Sequence, residues 1–132
     1  MKLLLDTHFA LWLAVERDRL RSQEFSVLID PDNDLCVSAV SIWELRIKWG
    51  RHFQTGGRKG PIDPAQLLTT LAEMGLSVEP LLPAHCAAAL TSPMPHRDPF
   101  DELLLTIAQE TGRKLFTRDE ALRGHPLVFG VG

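Results

Sequence analysis

The sequence predicts an α/β domain built on a parallel sheet. Short apolar runs alternate along the chain with stretches of helical periodicity, the pattern left by parallel strands joined through crossover helices. The strand runs, such as Leu3-Leu4-Leu5, are apolar at consecutive positions, as strands covered on both faces are. At 132 residues the chain suits one domain, residues 1–132, with room for an apolar core that needs no disulfide or metal staple.

Each element has its own signal. Leu3–Leu5 is too short for a helix and reads as a buried strand. Thr7 or His8 opens a helical stretch carrying Phe9, Leu11, Trp12, Leu13 and Val15, and a second helical segment closes at Leu28-Ile29 before the turn residues Asp30-Pro31-Asp32-Asn33. Leu35-Cys36-Val37 is the second strand. Ser38 to Trp49 is helical in pattern, with Trp43 and Ile47 on one stripe and Ile42, Leu45 and Trp49 beside it. Arg51 to Pro64, with three glycines and two prolines, is the one clear loop. Ala65–Met74 returns to helix and Gly75 caps it. Leu76–Leu82 is the third strand, ending at Pro83, and Ala84–Leu90 a short helix. Ser92–Pro99 is a proline-rich connection. Pro99 to Thr111 is a long helix stopped by Gly112. Lys114-Leu115-Phe116 is the fourth strand and Leu127-Val128-Phe129 a fifth, giving a sheet of four or five strands.

A net charge of −3 excludes a global basic field, so a nucleic-acid partner needs a local patch or a bound metal. Cys36 and Cys86 form no CxxC pair, and both read as buried free thiols in a reducing, cytoplasmic compartment. Lys2-Leu3-Leu4-Leu5 is broken at once by Asp6, too soon for a signal-peptide core. No apolar run approaches the ~20 residues of a membrane span.

Ligands of open parallel sheets sit beyond the carboxyl ends of the strands. Asp6 follows the first strand. Ser38 follows the second, with Glu44 in the helix it opens. Asp119 follows the fourth, and Asp98 and Asp101 begin the helix leading into it. Such acids repel one another unless cations sit among them, and hard oxygen donors suit Mg²⁺ or Mn²⁺. Such ions activate water and steady the leaving oxygen of a phosphodiester. Structural readings compete. Asp98-Pro99-Phe100-Asp101 fits a helix start with Asp98 as N-cap and Asp101 as capping-box partner, and Ser41-Ile42-Trp43-Glu44 matches a capping box. Asp119-Glu120 fits the cap of a last helix. Asp6 is the hardest to dismiss, because a carboxylate directly after a buried strand is costly unless something pairs it.

Four pieces stand in order: Leu3-Leu4-Leu5-Asp6-Thr7-His8, Val37 to Leu45 with Ser38 and Glu44, His96-Arg97-Asp98-Pro99-Phe100-Asp101, and Leu115-Phe116-Thr117-Arg118-Asp119. Together they resemble the PIN-domain family, and more narrowly the VapC-type toxins of bacterial toxin–antitoxin pairs. The resemblance runs from about residue 2 to residue 125. It implies a three-layer α/β/α fold and a Mg²⁺- or Mn²⁺-dependent endoribonuclease acting on RNA. It carries the metal-binding and catalytic acids onto Asp6, Glu44, Asp101 and Asp119. Asp98 joins the same local signature, acting through a water. Thr7, Ser38 and Thr117 match small polar positions that orient the acids. A cognate antitoxin and a homodimer are the implied partners. Glu102, where relatives often carry a basic residue, Thr106-Ile107, and the long glycine-rich loop depart from the pattern without removing an acid.

Between Glu44 and Asp63 there is no acid, while Arg46, Lys48, Arg51, Arg58 and Lys59 fall there. This stretch is a candidate RNA-facing patch, a plain solvated loop, or, by the resemblance, part of the antitoxin surface. His8 is a candidate contact to the site or substrate, His96 an orienter of the Asp98 turn, and His52, His85 and His125 incidental. Trp12, Trp43 and Trp49 read as core or interface. Two rival functions remain: a PIN-like binding module without catalysis, and a phosphatase using Asp6 as nucleophile. The latter usually needs a second aspartate where this chain has His8. A receiver domain fits the topology but lacks a lysine after the last strand.

Overall fold

The computed structural model describes residues 1–52, 54–57 and 60–131. Its elements are β1 (Lys2–Leu5), α1 (Thr7–Val15), α2 (Ser22–Ile29), β2 (Asp34–Ser38), α3 (Ala39–Trp49), α4 (Pro64–Glu73), β3 (Ser77–Glu79), α5 (Pro83–Ala87), α6 (Pro99–Thr111), β4 (Lys114–Phe116) and β5 (Val128–Phe129). Single 3₁₀ turns lie at Arg17–Arg19 and Glu120–Leu122.

The five strands form one parallel sheet in the order β3-β2-β1-β4-β5. β1 is central, with Leu4 opposite Cys36 on one side and Leu115 on the other. Successive strand residues face opposite sides of a sheet, and two cores follow. Leu3, Leu5, Val37 and Phe116 pack with α1, α2 and α4, where Phe9 stacks on Phe116 at 4.4 Å. Leu4, Cys36 and Leu115 pack with Leu104, Leu105 and Ala108 of α6. α3 serves both, through Leu45 on the first side and Val40 on the second. The result is the expected three-layer α/β/α arrangement.

Helix ends follow local chemistry. Asp6, Ser38, Asp63 and Asp98 are N-caps whose side chains accept backbone N–H groups. α6 ends at Gly112 in the left-handed region, φ 67°. Gly60 packs so closely on the end of α3 that a Cβ there would lie 2.5 Å from the Trp49 Cα.

Some expectations need correction. The third strand covers only Ser77–Glu79, because its partner β2 ends at Ser38, opposite Glu79, and Pro80 has no N–H to donate. α5 stops at Ala87, and the chain beyond is held extended by Gln109, which donates to the Ala89 carbonyl and accepts from the Thr91 amide. Ser38, not Ser41, caps α3, so the suggested Ser41–Glu44 capping box is absent and both side chains serve elsewhere. Cys36 is buried but Cys86 is exposed, on a five-residue helix with little to cover it. Trp43, expected in the core or at an interface, is 60% exposed, which leaves the interface reading of the two. His85 and His125 are not incidental: His85 Nδ1 accepts the Leu82 amide, and His125 Nδ1 accepts that of Leu127.

Leu4 is fully buried between β2, β4 and α6. Leu4→Ala is expected to lower stability by about 2–5 kcal/mol, measured as a fall in the urea midpoint with the slope unchanged.

Candidate active site

The chain runs outward from β1 through β2 to β3, then returns to the other side of β1 with β4 and β5. The sheet's switch point is therefore the β1–β4 boundary, where a crevice opens beyond the carboxyl ends. A cavity of about 430 Å³ lies there, and Asp6, Glu44, Asp98, Asp101 and Asp119 all line it. The five acids come from four separate stretches of sequence.

Each carboxylate is held. The Asp6 amide donates to Phe116 O across the β1–β4 boundary at 3.1 Å. Asp6 Oδ1 accepts the Phe9 amide at 2.8 Å, and Oδ2 accepts the Thr117 hydroxyl at 2.7 Å. The Asp119 amide donates to Thr117 Oγ1 at 3.1 Å, so one buried threonine sets two acids. Glu44 Oε1 accepts from Thr7 Oγ1 at 2.8 Å, and Ser41 Oγ sits 2.9 Å from the same hydroxyl. Thr7 has one proton to give. With that proton on Glu44, the buried Ser41 donates to Thr7 and completes a chain of three. Ser38 contributes differently from Thr7 and Thr117: its hydroxyl accepts the Val40 amide and fixes where α3 begins, six residues before Glu44.

Asp98 caps α6, accepting the amides of Phe100 at 2.9 Å and Asp101 at 3.3 Å. Asp101, one turn into the helix, lies 3.3 Å from His96 Nε2. His96 Nδ1 accepts the Asp98 amide at 3.1 Å, which leaves the ring proton of the neutral tautomer on Nε2, facing Asp101. Nε2 is buried with no aligned hydrogen-bond partner. One donor atom each of His96, Asp101 and Asp119 lies within 4.8 Å of the others. In this tautomer Nε2 carries its proton toward Asp101 and offers no lone pair to a cation. His96 thus turns toward the acids as well as toward Asp98, a role invisible in histidine spacing.

The crowding has an electrostatic signature. Burial raises the Asp101 carboxyl to about 6, reinforced by Asp98, Asp119 and Glu44 and opposed by His96. Burial also raises Asp6, against the Phe9 amide and the Thr117 hydroxyl. Oxygen donors that raise one another's affinity for protons fit a divalent cation, and Asp6, Glu44, Asp101 and Asp119 offer hard ligands of the right type.

His8 and Trp12 also line the cavity, with their rings 5.5 Å apart. Trp12 is therefore a wall of the site, not only core. Arg118 stacks 4.4 Å over Trp12 and pairs with buried Glu24. Sequence reading missed this pair, whose members are 94 positions apart with no shared motif. Of the loop cations, Arg46 lines a different, apolar groove with Ile42, Trp43 and Leu68. Lys48 follows Glu44 by one helical turn, on the same face of α3. Arg51 lies past the helix end and is exposed, while Arg58 and Lys59 lie outside the described residues.

Without metal, Asp101 is better accommodated protonated. Its stabilising contribution is full below its unfolded value near 3.8 and is lost as pH rises through about 6. Asp101→Asn should therefore melt a few degrees above the parent at pH 7 in EDTA, about 1–2 kcal/mol more stable, with the gap closing toward pH 4. Mg²⁺ or Mn²⁺ should raise the parent's melting temperature at pH 7 more than at pH 5, and that of Asp101→Asn much less.

Comparisons with known proteins agree with this architecture. Residues 3–126 match the PIN domain. The chain is 36% identical over 124 residues to Ribonuclease VapC22 of Mycobacterium tuberculosis (strain ATCC 25618 / H37Rv), covering 92% of this chain and 90% of that protein. The structure of VapBC2 from Rickettsia felis, bound to a DNA fragment from their promoter, superposes with a TM-score of 0.62 over 99% of this chain and 98% of that one. At 11% identity the likeness is one of fold. The match across nearly all of the sheet, helices and acidic crevice places this chain in the PIN domain family.

Proposed function

We propose that this protein is a metal-dependent endoribonuclease that hydrolyses RNA phosphodiester bonds and serves as the toxin of a toxin–antitoxin pair. The observation that carries the reading is the gathering of five carboxylates in one crevice, with Asp101 pushed up to about 6. The relative named as a ribonuclease supports the reaction class.

Asp6, Glu44, Asp101 and Asp119 would hold Mg²⁺ or Mn²⁺. When bound, such a cation acidifies water and offsets the charge of a phosphodiester. The chain's own groups supply orientation. Thr117 and the Phe9 amide fix both oxygens of Asp6, Thr7 fixes Glu44, and His96 faces Asp101. Asp98 is committed to capping α6, which keeps it beside the cluster without freeing both of its oxygens. Trp12 and His8 form the wall against which a nucleotide would rest.

A partner protein is part of the reading. Exposed Trp43 and Leu68, with Ile42 and Val78, line an apolar groove of about 420 Å³ between α3 and α4. Apolar surface of this kind favours a cognate antitoxin or a second copy of the chain. Among the described residues no helix is long and apolar enough to cross a membrane.

Purified protein should cut single-stranded RNA with Mn²⁺ or Mg²⁺ and not in EDTA, and Asp6→Asn should cut at least 100-fold more slowly, a loss of about 3 kcal/mol in transition-state stabilisation. Cleavage persisting in that variant would refute the mechanism. Steady phosphate release from a small phosphomonoester, lost with Asp6, would favour the aspartyl-nucleophile alternative.

A further inference from the structure

A second cavity, of about 210 Å³, opens beside the acidic crevice. The two share Thr117, Arg118 and Asp119 as a common wall. The acids dominate the first cavity. Arg21, Arg118 and Arg123 line the second.

Arg118 is held in an unusual way. Its Nε donates to Glu24 Oε2 at 2.8 Å, and its Nη2 donates to Glu24 Oε1 and to Arg19 O. Glu24 is 1% exposed, a buried carboxylate that needs this cation. The guanidinium plane is further fixed over Trp12. Among the described residues no hydrogen bond engages Nη1, and the side chain is 28% exposed. Two donors of a rigidly placed guanidinium are thus presented at the wall between the cavities. Arg21 begins α2, where its amide donates to the same Glu24 at 2.8 Å, and its side chain is free of that bond. Gly130, which also lines this cavity, sits against Thr117, where a Cβ would lie 3.3 Å from the Thr117 carbonyl oxygen. Glu120 at the rim pairs with Arg123 at 3.5 Å, both ends well exposed, an ion pair that exchanges easily.

We propose that this cavity is a phosphate subsite, in which Arg118 and Arg21 bind the RNA backbone next to the phosphodiester that lies over the acids. The assignment rests on the ribonuclease reading. A planar guanidinium held by a buried carboxylate binds phosphate without first losing side-chain freedom. Placed one step from the acids, it positions the strand and takes no part in bond breaking.

The test uses full-length protein carrying Asp6→Asn, so that RNA stays intact, and a short fluorescent single-stranded RNA followed by anisotropy across a KCl series. Adding Arg21→Ala or Arg118→Lys should weaken binding about three- to tenfold, and the dependence of log affinity on log salt should flatten by about 0.7 per lost phosphate contact. Arg21→Ala keeps the backbone bond and should melt near the parent, whereas Arg118→Lys loses the two-donor grip on Glu24 and the stack on Trp12, so its binding is read well below its own melting temperature. Arg21→Lys should bind almost normally. Lys2→Ala, which removes a charge at the amino end of the central strand, away from the crevice, should change nothing. Unchanged affinity and slope in Arg21→Ala and Arg118→Lys, or an equal loss in Lys2→Ala, would overturn the subsite. Cleavage by the chain with Asp6 restored separates the two readings. RNA cut while the arginine variants bind normally sinks the subsite alone. Arginine-dependent binding without any cutting sinks the ribonuclease reading instead.

Discussion

The first turn of a helix leaves backbone N–H groups without partners, and something must accept them. In this protein carboxylates do so at three places around one crevice. Asp6 accepts from Phe9, Asp98 from Phe100 and Asp101, and Asp119 from Ala121. Capping therefore gathers like charges at the carboxyl edge of the sheet. Asp101, which caps nothing, is pushed up to about 6 by burial, with the charges of Asp98, Asp119 and Glu44 adding to the rise. The same acceptors that complete the helix starts gather hard oxygen donors in one pocket.

The sheet sets the precision of this arrangement. β1 is paired on both sides and its leucines alternate between two cores. A shift by one residue would drive Leu4 into the wrong core and swing Asp6 to the other face. Phe116, directly before Thr117, stacks on Phe9, directly after the first turn of the Asp6 cap. Packing and site geometry are thus the same contacts seen from two sides, and the Thr117–Asp6 bond closes the gap between strands 111 positions apart.

Glu24 and Arg118 extend that logic away from the acids. A buried carboxylate is costly without a cation, and Arg118 meets the need while reaching the border of the crevice. Burial raises the carboxyl group of Glu24, but the bonds from Arg118 and from the Arg21 amide, with the charges of both arginines, together hold it below its ordinary value. Arg19 O and the Trp12 ring complete the set of contacts that fix the guanidinium in place.

The sequence by itself determined the order of strands and helices and the turns at Asp98-Pro99 and Gly112, because each is written in neighbouring residues through apolar runs, caps and breakers, while the acids at Asp6, Glu44, Asp101 and Asp119 were marked by their places after strands and at helix starts and by the family resemblance. Only the tertiary structure decided which groups surround those acids. Ser41 beside Thr7, His96 beside Asp101, Arg118 against Glu24 and Trp12 in the wall are pairings across the chain, set by strand order and helix packing. The shortness of β3 and the exposure of Trp43 and Cys86 belong to the same class, since they depend on where a neighbouring element ends. Local propensity carries no information about such distances, and the sheet that brings β4 beside β1 supplies it.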